Sequence, residues 1–311
     1  MANELEGRVA LITGGGRGIG KAIAQALHGR GAAVVIADNG TAIDGFGADP
    51  GVASAAAKAL GARALAFGES IASPSRARAA VELAAKRFGG LDILVNNAAI
   101  LRDAFIFKGD PGDWDAVIRN NLSSAYYLMA AATPLMREAS KAGRGGGKWG
   151  RIINIVSTAG LYGNYGQASY ASAKGGLVAL SRIAALDLAR NAITSNAVAP
   201  FAATRVTEII KPANEAQAQY KARALRLPAA HVATFVAYLA GPAAAGISGQ
   251  LFGVRGREVF LFSQPRPIAR LVRAAADRTD SSLAEAVTAE FTPKLAELTT
   301  DLEAFNSEPI V

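Results

Sequence analysis

The chain of 311 residues contains no cysteine, which excludes disulfide bonds, thiolate metal ligands and cysteine nucleophiles. Imidazole is scarce as well, because His28 and His231 are the only histidines and their separation gives no metal-ligand spacing. We therefore expect no metal site. The absence of cysteine is compatible with a reducing compartment, and we expect the protein to be cytoplasmic.

A secretion signal and a long uninterrupted apolar segment are also missing. Residues 1–8 carry no basic segment followed by an apolar stretch, and residues 308–311 match no lipidation or peroxisomal signal. Residues 228–254 lack Lys, Arg, Asp and Glu over a length that can span a bilayer, yet Gly241-Pro242 divides them. We predict a buried helix, a turn and a core strand there, and no membrane span.

Acidic side chains are outnumbered, with 25 Asp and Glu against 33 Lys and Arg and a formal net charge of +8. This balance occurs in nucleic-acid-binding proteins, but no zinc finger, helix-turn-helix or aromatic-basic pattern organises the basic residues. We therefore expect no nucleic-acid partner. One local cluster surrounds the glycine-rich residues 143–147, where a solvated loop is the main interpretation and docking of an anionic substrate tail the alternative: Arg137, Lys141, Arg144, Lys148 and Arg151.

Small and apolar residues are abundant, with 51% hydrophobic against 19% charged residues, which allows a large buried core. Short apolar runs alternate with helical patterns. This alternation predicts an α/β fold, a doubly wound parallel sheet of Rossmann-like type with helices on both faces. The predicted strands are 8–13, 33–37, 63–67, 91–95, 152–156 and 193–198, and the predicted helices are 19–30, 55–60, 75–88, 113–139 and 169–190.

The pattern changes near the C-terminus. No linker interrupts residues 5–262, so we predict a single domain over residues 1–262. Gln264-Pro-Arg-Pro267 opens a C-terminal extension, residues 263–311, with predicted amphipathic helices at 268–276 and 283–291. Three roles stay open for this extension: packing on the core, covering the pocket, or contacting a neighbouring subunit.

A glycine-rich turn, Gly14-x-x-x-Gly18-x-Gly20, lies between the first predicted strand and the first predicted helix. Backbone N–H groups and the helix dipole at such a turn bind phosphate, and the missing Cβ atoms allow its close approach. The strand and helix on either side make this glycine pattern informative. The sequence therefore predicts a dinucleotide phosphate site here.

Asp38 follows the second predicted strand, about 20 residues beyond the glycines, where a carboxylate accepts the adenosine ribose hydroxyls. A 2′-phosphate would meet a like charge, so Asp38 favours NAD over NADP. Arg17 in the turn argues the other way, since its charge can pair with that phosphate. We give the carboxylate more weight, with a simple loop cap as the structural alternative for Asp38.

Tyr170 and Lys174 are four residues apart and therefore share one face of a predicted helix. A cation beside a phenol favours the phenolate, so this pair is suited to acid/base chemistry. Ser157 directly follows the predicted strand 152–156 and can bind a substrate oxygen. Because the carboxyl ends of parallel strands share one edge of the sheet, we expect these groups, the glycine turn, Asp38, Asn97 and Pro200 to form one site.

These residues together resemble the short-chain dehydrogenase/reductase family over residues 5–262. The matching motifs are Thr13-Gly-Gly-Gly-Arg-Gly-Ile-Gly20, Asp38, Asn96-Asn-Ala-Ala99, Asn121, Ser157 and Tyr170-Ala-Ser-Ala-Lys174. The resemblance implies that Tyr170 is the acid/base, that Ser157 binds the substrate oxygen, and that Lys174 holds the nicotinamide ribose and lowers the tyrosine pKa. It also implies that Asn121 supports a water-mediated proton path.

The resemblance further implies a set of cofactor-binding positions: Gly14, Arg17, Gly18, Ile19, Gly20, Asp38, Glu69, Ser70, Ile71, Asn97, Ala98, Ala99, Tyr170, Lys174, Pro200, Ala202 and Thr204. Two positions depart from the family pattern. Ala99 stands where the family usually has glycine, and Glu69-Ser70 stands where an aspartate commonly meets the adenine amine.

Three segments are more closely similar to the (3R)-hydroxyacyl-CoA dehydrogenase domain of peroxisomal multifunctional enzymes and its bacterial relatives: 96–103, 162–170 and 198–205. This branch implies NAD and a 3-hydroxyacyl-CoA substrate with a fatty-acyl or steroid-derived group, and the family as a whole implies a homo-oligomer, dimer or tetramer. The alternatives are an NADPH-dependent 3-oxoacyl reductase and a dehydrogenase of free steroids or alcohols. A non-catalytic dinucleotide-binding protein is a more distant alternative.

Overall fold

The computed structural model describes residues 3–142, 149–208, 212, 215–273 and 280–311. Within these residues a single sheet has eight strands in the order β3-β2-β1-β4-β5-β6-β7-β8. Strands β1 to β7 pair in parallel, and β8 is antiparallel to β7. The strands are β1 Val9–Thr13, β2 Ala33–Ala37, β3 Ala64–Phe67, β4 Ile93–Asn96, β5 Gly150–Ile155, β6 Ile193–Phe201, β7 Leu251–Arg255 and β8 Glu258–Leu261.

The helices fill the crossovers between the parallel strands and continue into the C-terminal segment. The α-helices are α1 Gly18–Gly29, α2 Gly51–Leu60, α3 Pro74–Phe88, α4 Pro111–Ile118, α5 Ser124–Lys141, α6 Ala159–Tyr162, α7 Ala168–Leu188, α8 Arg205–Glu208, α9 Glu215–Ala224, α10 Ala229–Ala240, α11 Asp280–Phe291 and α12 Asp301–Ala304. A π-helical turn, Arg119–Ser123, joins α4 to α5. Short 3₁₀ turns cover Ile106–Lys108, Ala189–Asn191, Pro242–Ala244 and Thr292–Lys294.

Alternating side chains of the strands build a core on each face of the sheet. Ala10 and Ile12 of β1 belong to the cluster that packs against α1, α2 and α10. Val9 and Leu11 of the same strand belong to the cluster that packs against α3, α5 and α7. The predicted doubly wound sheet with helices on both faces is therefore confirmed.

The strand order reverses between β1 and β4. The chain runs outward from β1 through β2 to β3, then returns to β4 on the other side of β1 and continues to β8. The loops after β1 and β4 therefore diverge and leave a crevice at the carboxyl ends of these strands. This crevice is the position at which open α/β sheets bind their ligands.

Several predicted elements need correction. The predicted helix 113–139 is interrupted by the π turn Arg119–Ser123. The antiparallel hairpin of β7 and β8 was not predicted; its strands are joined by Gly256-Arg257. Pro200 lies inside β6 rather than after it. The last residue of β6 that pairs with β5 is Val198, so Pro200, which has no N–H, lies beyond the part of the strand that bonds to β5.

Of the two helices predicted in the C-terminal extension, one is present among the described residues. Residues 268–273 have no helix, and residues 274–276 lie outside the described part. The predicted helix 283–291 is present within α11. The glycine-rich residues 143–147 lie outside the described residues. Residues 228–254 form α10, a turn and β7, as predicted, and no helix in the described parts of the chain is both long and apolar enough to cross a membrane.

Residues 301–307 return to the carboxyl edge of the sheet. The ring of Phe305 packs at 4.8 Å from the Phe201 ring, measured between centroids, and also contacts Tyr162, Phe260 and Phe262. The Arg255 guanidinium donates to the carbonyl oxygens of Phe305 and Ser307 at 3.1 and 3.2 Å. These contacts hold the end of the chain against the core.

Candidate active site

A cavity of about 1250 Å³ opens at the carboxyl ends of β1, β2, β4, β5 and β6. It brings together Ser157, Tyr170 and Lys174 with every one of the predicted cofactor-binding positions: Gly14, Arg17, Gly18, Ile19, Gly20, Asp38, Glu69, Ser70, Ile71, Asn97, Ala98, Ala99, Pro200, Ala202 and Thr204. The expectation that these residues share one edge of the sheet agrees with this geometry. Asn121 is the predicted site residue that does not line the cavity.

The glycine turn is tied to the loop after β4. Thr13 Oγ1 accepts hydrogen bonds from the backbone N–H groups of Asn97 and Ala98 at 2.9 and 3.0 Å. Asn97 Nδ2 in turn donates to the Thr13 carbonyl oxygen at 2.9 Å. The two sides of the crevice therefore have a fixed separation.

The residues of this turn fit a dinucleotide phosphate. A Cβ at Gly20 would collide with the Gly14 carbonyl oxygen, so only glycine lets α1 begin this close to β1. The N-cap of α1, Arg17, has no side-chain capping bond, and the first N–H groups of the helix remain for an anion. The cradle therefore suits a pyrophosphate on both shape and charge.

Asp38 is held rigidly at the end of β2. Its Oδ2 accepts from the Gly16 N–H at 3.0 Å, and its Oδ1 accepts from the Gly40 N–H at 2.8 Å. Arg17 Nη2 donates to the Thr41 carbonyl oxygen at 2.8 Å, which commits its guanidinium to the loop after β2. The carboxylate is thus fixed both as a loop cap and as a group that lines the cavity.

Beyond Asp38, the loop after β3 supplies three further cavity residues. The Glu69 carboxylate forms an ion pair with Arg76. Ser70 Oγ accepts from the Ala72 N–H at 3.3 Å, and Ile71 is buried. The ion pair places a partly neutralised carboxylate where the family usually has an aspartate.

Tyr170, Lys174 and Ser157 meet across the ends of β5 and α7. Lys174 Nζ lies 5.7 Å from the Tyr170 ring centroid and donates to the Ile155 carbonyl oxygen at 2.7 Å. The Ser157 hydroxyl lies beside the Tyr170 hydroxyl, whose pKa it lowers, and accepts from the Ala159 N–H at 3.2 Å. Lys174 is only 2% exposed, and this burial lowers its pKa to about 8.

The pKa of Tyr170 differs from the expectation. Desolvation raises it to about 12, the neighbouring Ser157 hydroxyl lowers it, and the negative charges of Asp301 and Asp103 raise it. The expectation that the Tyr170 pKa lies below its ordinary value is therefore wrong. The Lys174 ammonium is bonded to a backbone carbonyl, while burial and two carboxylates favour the neutral phenol.

Asn121 occupies the π turn between α4 and α5 and is 2% exposed. Its Nδ2 donates to the Ile100 carbonyl oxygen, and its Oδ1 accepts from the Ile100 N–H, both at 2.8 Å. The Ser124 N–H bonds to the Arg119 carbonyl oxygen, five residues back, as a π turn requires. The side chain therefore braces the loop after β4 from behind the cavity.

Sequence reasoning missed cavity residues that come from distant parts of the chain. Asp103 accepts from Gln167 Nε2 at 3.0 Å, and burial raises its pKa. Tyr220 of α9 and Asp301 of α12 complete the wall. Asp103 was visible within the motif 96–103, whereas Asp301 had no local feature except the Thr300-x-x-Glu303 pattern that caps its helix.

The fold and this cavity define a class of protein, and the comparisons agree on it. The short chain dehydrogenase family matches residues 8–218. The chain belongs to this family, as predicted from its motifs, and is an oxidoreductase of the group that binds a nicotinamide dinucleotide.

Individual relatives show where the chain lies within the family. It is 40% identical over 265 residues to hydroxyacyl-CoA dehydrogenase ChsB1 of Mycobacterium tuberculosis, covering 84% of this chain and 81% of that protein. It is 41% identical over 215 residues to peroxisomal multifunctional enzyme A of Dictyostelium discoideum, covering 68% of this chain and 46% of that protein. These similarities confirm the resemblance to the hydroxyacyl-CoA dehydrogenase branch.

The chain is also similar to a reductase and to a solved structure of the same family. The chain is 39% identical over 253 residues to 3-oxoacyl-[acyl-carrier-protein] reductase FabG of Escherichia coli, covering 81% of this chain and 97% of that protein. A crystal structure of a short chain dehydrogenase from Mycobacterium avium superposes with a TM-score of 0.79 at 31% identity, covering 95% and 98% of the two chains.

Proposed function

We propose that this enzyme is an NAD-dependent dehydrogenase of 3-hydroxyacyl-CoA thioesters. The observation that carries the proposal is the convergence of Ser157, Tyr170 and Lys174 with a rigidly held Asp38 around one cavity. The similarity to hydroxyacyl-CoA dehydrogenase ChsB1 supports the substrate class. The acyl group is fatty or steroid-derived.

The chemistry is a proton transfer coupled to hydride transfer. When bound, the dinucleotide supplies the hydride acceptor, and the positive charge of its oxidised nicotinamide favours the phenolate. Tyr170 accepts the proton of the substrate hydroxyl, while Ser157 donates a hydrogen bond to the same oxygen. Lys174 would hold the ribose next to the nicotinamide, and Asn121 supports the proton path by bracing the loop after β4.

Asp38 supports the choice of NAD over NADP. Both of its oxygens accept backbone N–H groups, so the carboxylate cannot turn away from a 2′-phosphate. Arg17 donates to the Thr41 carbonyl oxygen, and Arg205 of α8 lies near the side chains of Arg17 and Asp38. Two guanidinium groups beside one carboxylate suit the negative pyrophosphate, while the carboxylate itself repels a phosphate on the ribose.

Tyr170→Phe tests the mechanism. The variant keeps the ring but loses the group that moves the proton, so we expect alcohol oxidation to fall about 10²–10⁴-fold. NAD affinity, measured by titration calorimetry, should stay within about threefold of the wild type. The control is Tyr165→Phe, which changes an exposed cavity tyrosine that has no lysine one turn on and should leave turnover intact. Retained turnover in Tyr170→Phe rules out the assignment.

The second candidate is an NADPH-dependent 3-oxoacyl reductase, which the similarity to FabG favours. The same residues would then run the reaction in reverse, with Tyr170 donating its proton to a ketone. A dehydrogenase of a free steroid or alcohol uses the same site as well. Steady-state kinetics with both dinucleotides, on acyl-CoA thioesters of varied length and ring content and on free alcohols, distinguishes the candidates. A non-catalytic dinucleotide-binding protein would bind NAD and turn over none of them.

We also propose that the enzyme works as a homo-oligomer, dimer or tetramer. Tyr126 of α5 and Ile183 and Leu186 of α7 are exposed on helices whose other sides pack on the sheet. An apolar helix face of this kind favours self-association. Light scattering after size exclusion should give a dimer or tetramer that Leu186→Glu dissociates, and a wild-type monomer would exclude the proposal.

A further inference from the structure

The C-terminal segment places a carboxylate beside the acid/base. Asp301 begins α12, whose N-terminus is fixed by a capping box between Thr300 and Glu303. The residue is only 7% exposed, and its Oδ2 accepts from Thr158 Oγ1 at 3.0 Å. Oδ1 is buried and has no hydrogen-bond partner among the residues that the structure describes. Burying a carboxylate with one oxygen left without a partner costs free energy.

The position of Asp301 links it to Tyr170. Thr158 directly follows Ser157, and the Ser157 hydroxyl lies close enough to the Tyr170 hydroxyl to lower its pKa. Asp301 and Tyr170 line the same cavity. Asp301 is buried and Tyr170 is half-buried, so water screens a charge on one from the other less than at the protein surface.

We propose that Asp301 is a positioning residue that acts through Tyr170. Its carboxylate keeps the proton on the tyrosine hydroxyl and so sets the pH range in which the tyrosine can accept the proton of an alcohol. The proposal rests on the proposed function in one respect, the role of Tyr170 as the acid/base.

The other charged groups around this carboxylate do not cancel its effect. Arg255 of β7 is held by Glu258, with Nε to Oε2 at 2.8 Å, so its positive charge is already matched. Tyr220 of α9 also has a raised pKa, first through desolvation and then through the charge of Asp301. Lys174, on the helix of Tyr170, donates to a backbone carbonyl oxygen instead.

Burial raises the pKa of Asp301 to about 6, so the carboxyl is negative through the neutral and alkaline range. The same charge raises the pKa of Tyr170, and the carboxylate of Asp103 acts in the same direction as a smaller cause. The Asp301 charge therefore opposes ionisation of Tyr170. Removing the Asp301 charge should make the phenolate accessible at lower pH.

The first test compares wild type with Asp301→Asn, which removes the charge at nearly constant volume. We expect the alkaline-rising limb of kcat for alcohol oxidation to move to lower pH by about one unit. The matched control is Glu297→Gln, which removes one negative charge from an exposed position of the same segment and should leave the limb in place. An unmoved limb in Asp301→Asn overturns the proposal, and so does a loss of kcat that is equal at every pH.

Asp301→Ser is a second neutral variant in case the amide disturbs α12, and the same displacement is expected. A substrate-independent measurement uses tyrosine labelled with ¹³C at Cζ, with the Tyr170 signal assigned by its loss in Tyr170→Phe. In the wild type this signal should shift as Asp301 ionises near pH 6, and both neutral variants should abolish that shift. If the wild-type Tyr170 signal does not shift near pH 6, the proposal is overturned. If the shift is present but no thioester is turned over, only the proposed substrate is refuted.

Discussion

Lys174 shows at the scale of one residue how an active site costs stability. The ammonium is almost completely buried, and its pKa of about 8 lies below the ordinary value of 10.5. Because the unfolded chain binds this proton more tightly, the penalty is complete below pH 8 and disappears as the pH rises toward 10.5. A group that would hold the cofactor ribose therefore destabilises the fold at neutral pH.

Lys174→Met should accordingly raise the free energy of unfolding at pH 7 by roughly 1–2 kcal/mol while abolishing turnover. The gain is smaller than the pKa shift implies, because the Ile155 carbonyl oxygen loses its donor. Urea unfolding of both proteins between pH 7 and 10 measures the difference, which should shrink as pH rises. Lys21→Met, at an exposed position of α1, is the control, and an equal gain in both variants would contradict the prediction.

Asp38 governs the choice of dinucleotide at the same scale. Asp38→Ser removes the charge that repels a 2′-phosphate, so the ratio of kcat/KM for NADP to that for NAD should rise at least about tenfold. Asp49→Asn serves as the control because Asp49 is exposed and does not line the cavity. If the ratio does not change in Asp38→Ser, another residue discriminates the two dinucleotides.

At the scale of the element, the junction of β1 and α1 depends on a backbone contact that no side chain allows. Gly20→Ala should weaken NAD binding by at least about tenfold and destabilise the fold by about 1–3 kcal/mol, because its Cβ meets the Gly14 carbonyl oxygen. Gly29→Ala, at the other end of the same helix, has nothing within 4 Å of the added Cβ and should be neutral or stabilising by up to about 1 kcal/mol. Calorimetric binding and thermal unfolding measure both variants, and equal behaviour would contradict the contact.

The π turn at Arg119–Ser123 is a second feature at this scale. The apolar pattern of residues 113–139 predicts an uninterrupted helix, because the sequence contains no glycine or proline at residues 119–123 to mark the turn. The turn places Asn121 on the backbone of Ile100, where its two hydrogen bonds support the loop after β4.

At the scale of the whole molecule, the end of the chain stabilises the cavity wall. Phe305→Ala should lower the free energy of unfolding by about 1–3 kcal/mol, because its half-buried ring contacts Tyr162, Phe201, Phe260 and Phe262. Leu298→Ala, at a fully exposed position of the same segment, should change it by less than about 0.5 kcal/mol. Denaturant unfolding gives both values, and equal effects would mean that the segment does not pack on the core.

Features that depend on local order along the chain could be predicted from the residues alone. The glycine turn, Asp38, Ser157 and the Tyr170–Lys174 pair are recognisable because each lies at a strand end or on one helix face, and parallel strands bring their carboxyl ends to one edge. Apolar runs and their spacing likewise determined the alternation of strands and helices.

The contact of Asp301 with the site and the pKa of Tyr170 depend on residues that are distant in sequence, so they are known only from the folded structure. Asp301 reaches Thr158 across 143 positions of sequence, and no local pattern predicts that approach. The pKa of Tyr170 follows from the same packing, since desolvation and the charges of Asp301 and Asp103 raise it, while Lys174 is bonded to the Ile155 carbonyl oxygen. Burial is a property of the folded chain, so the acidity of the tyrosine could not be read from its neighbours in sequence.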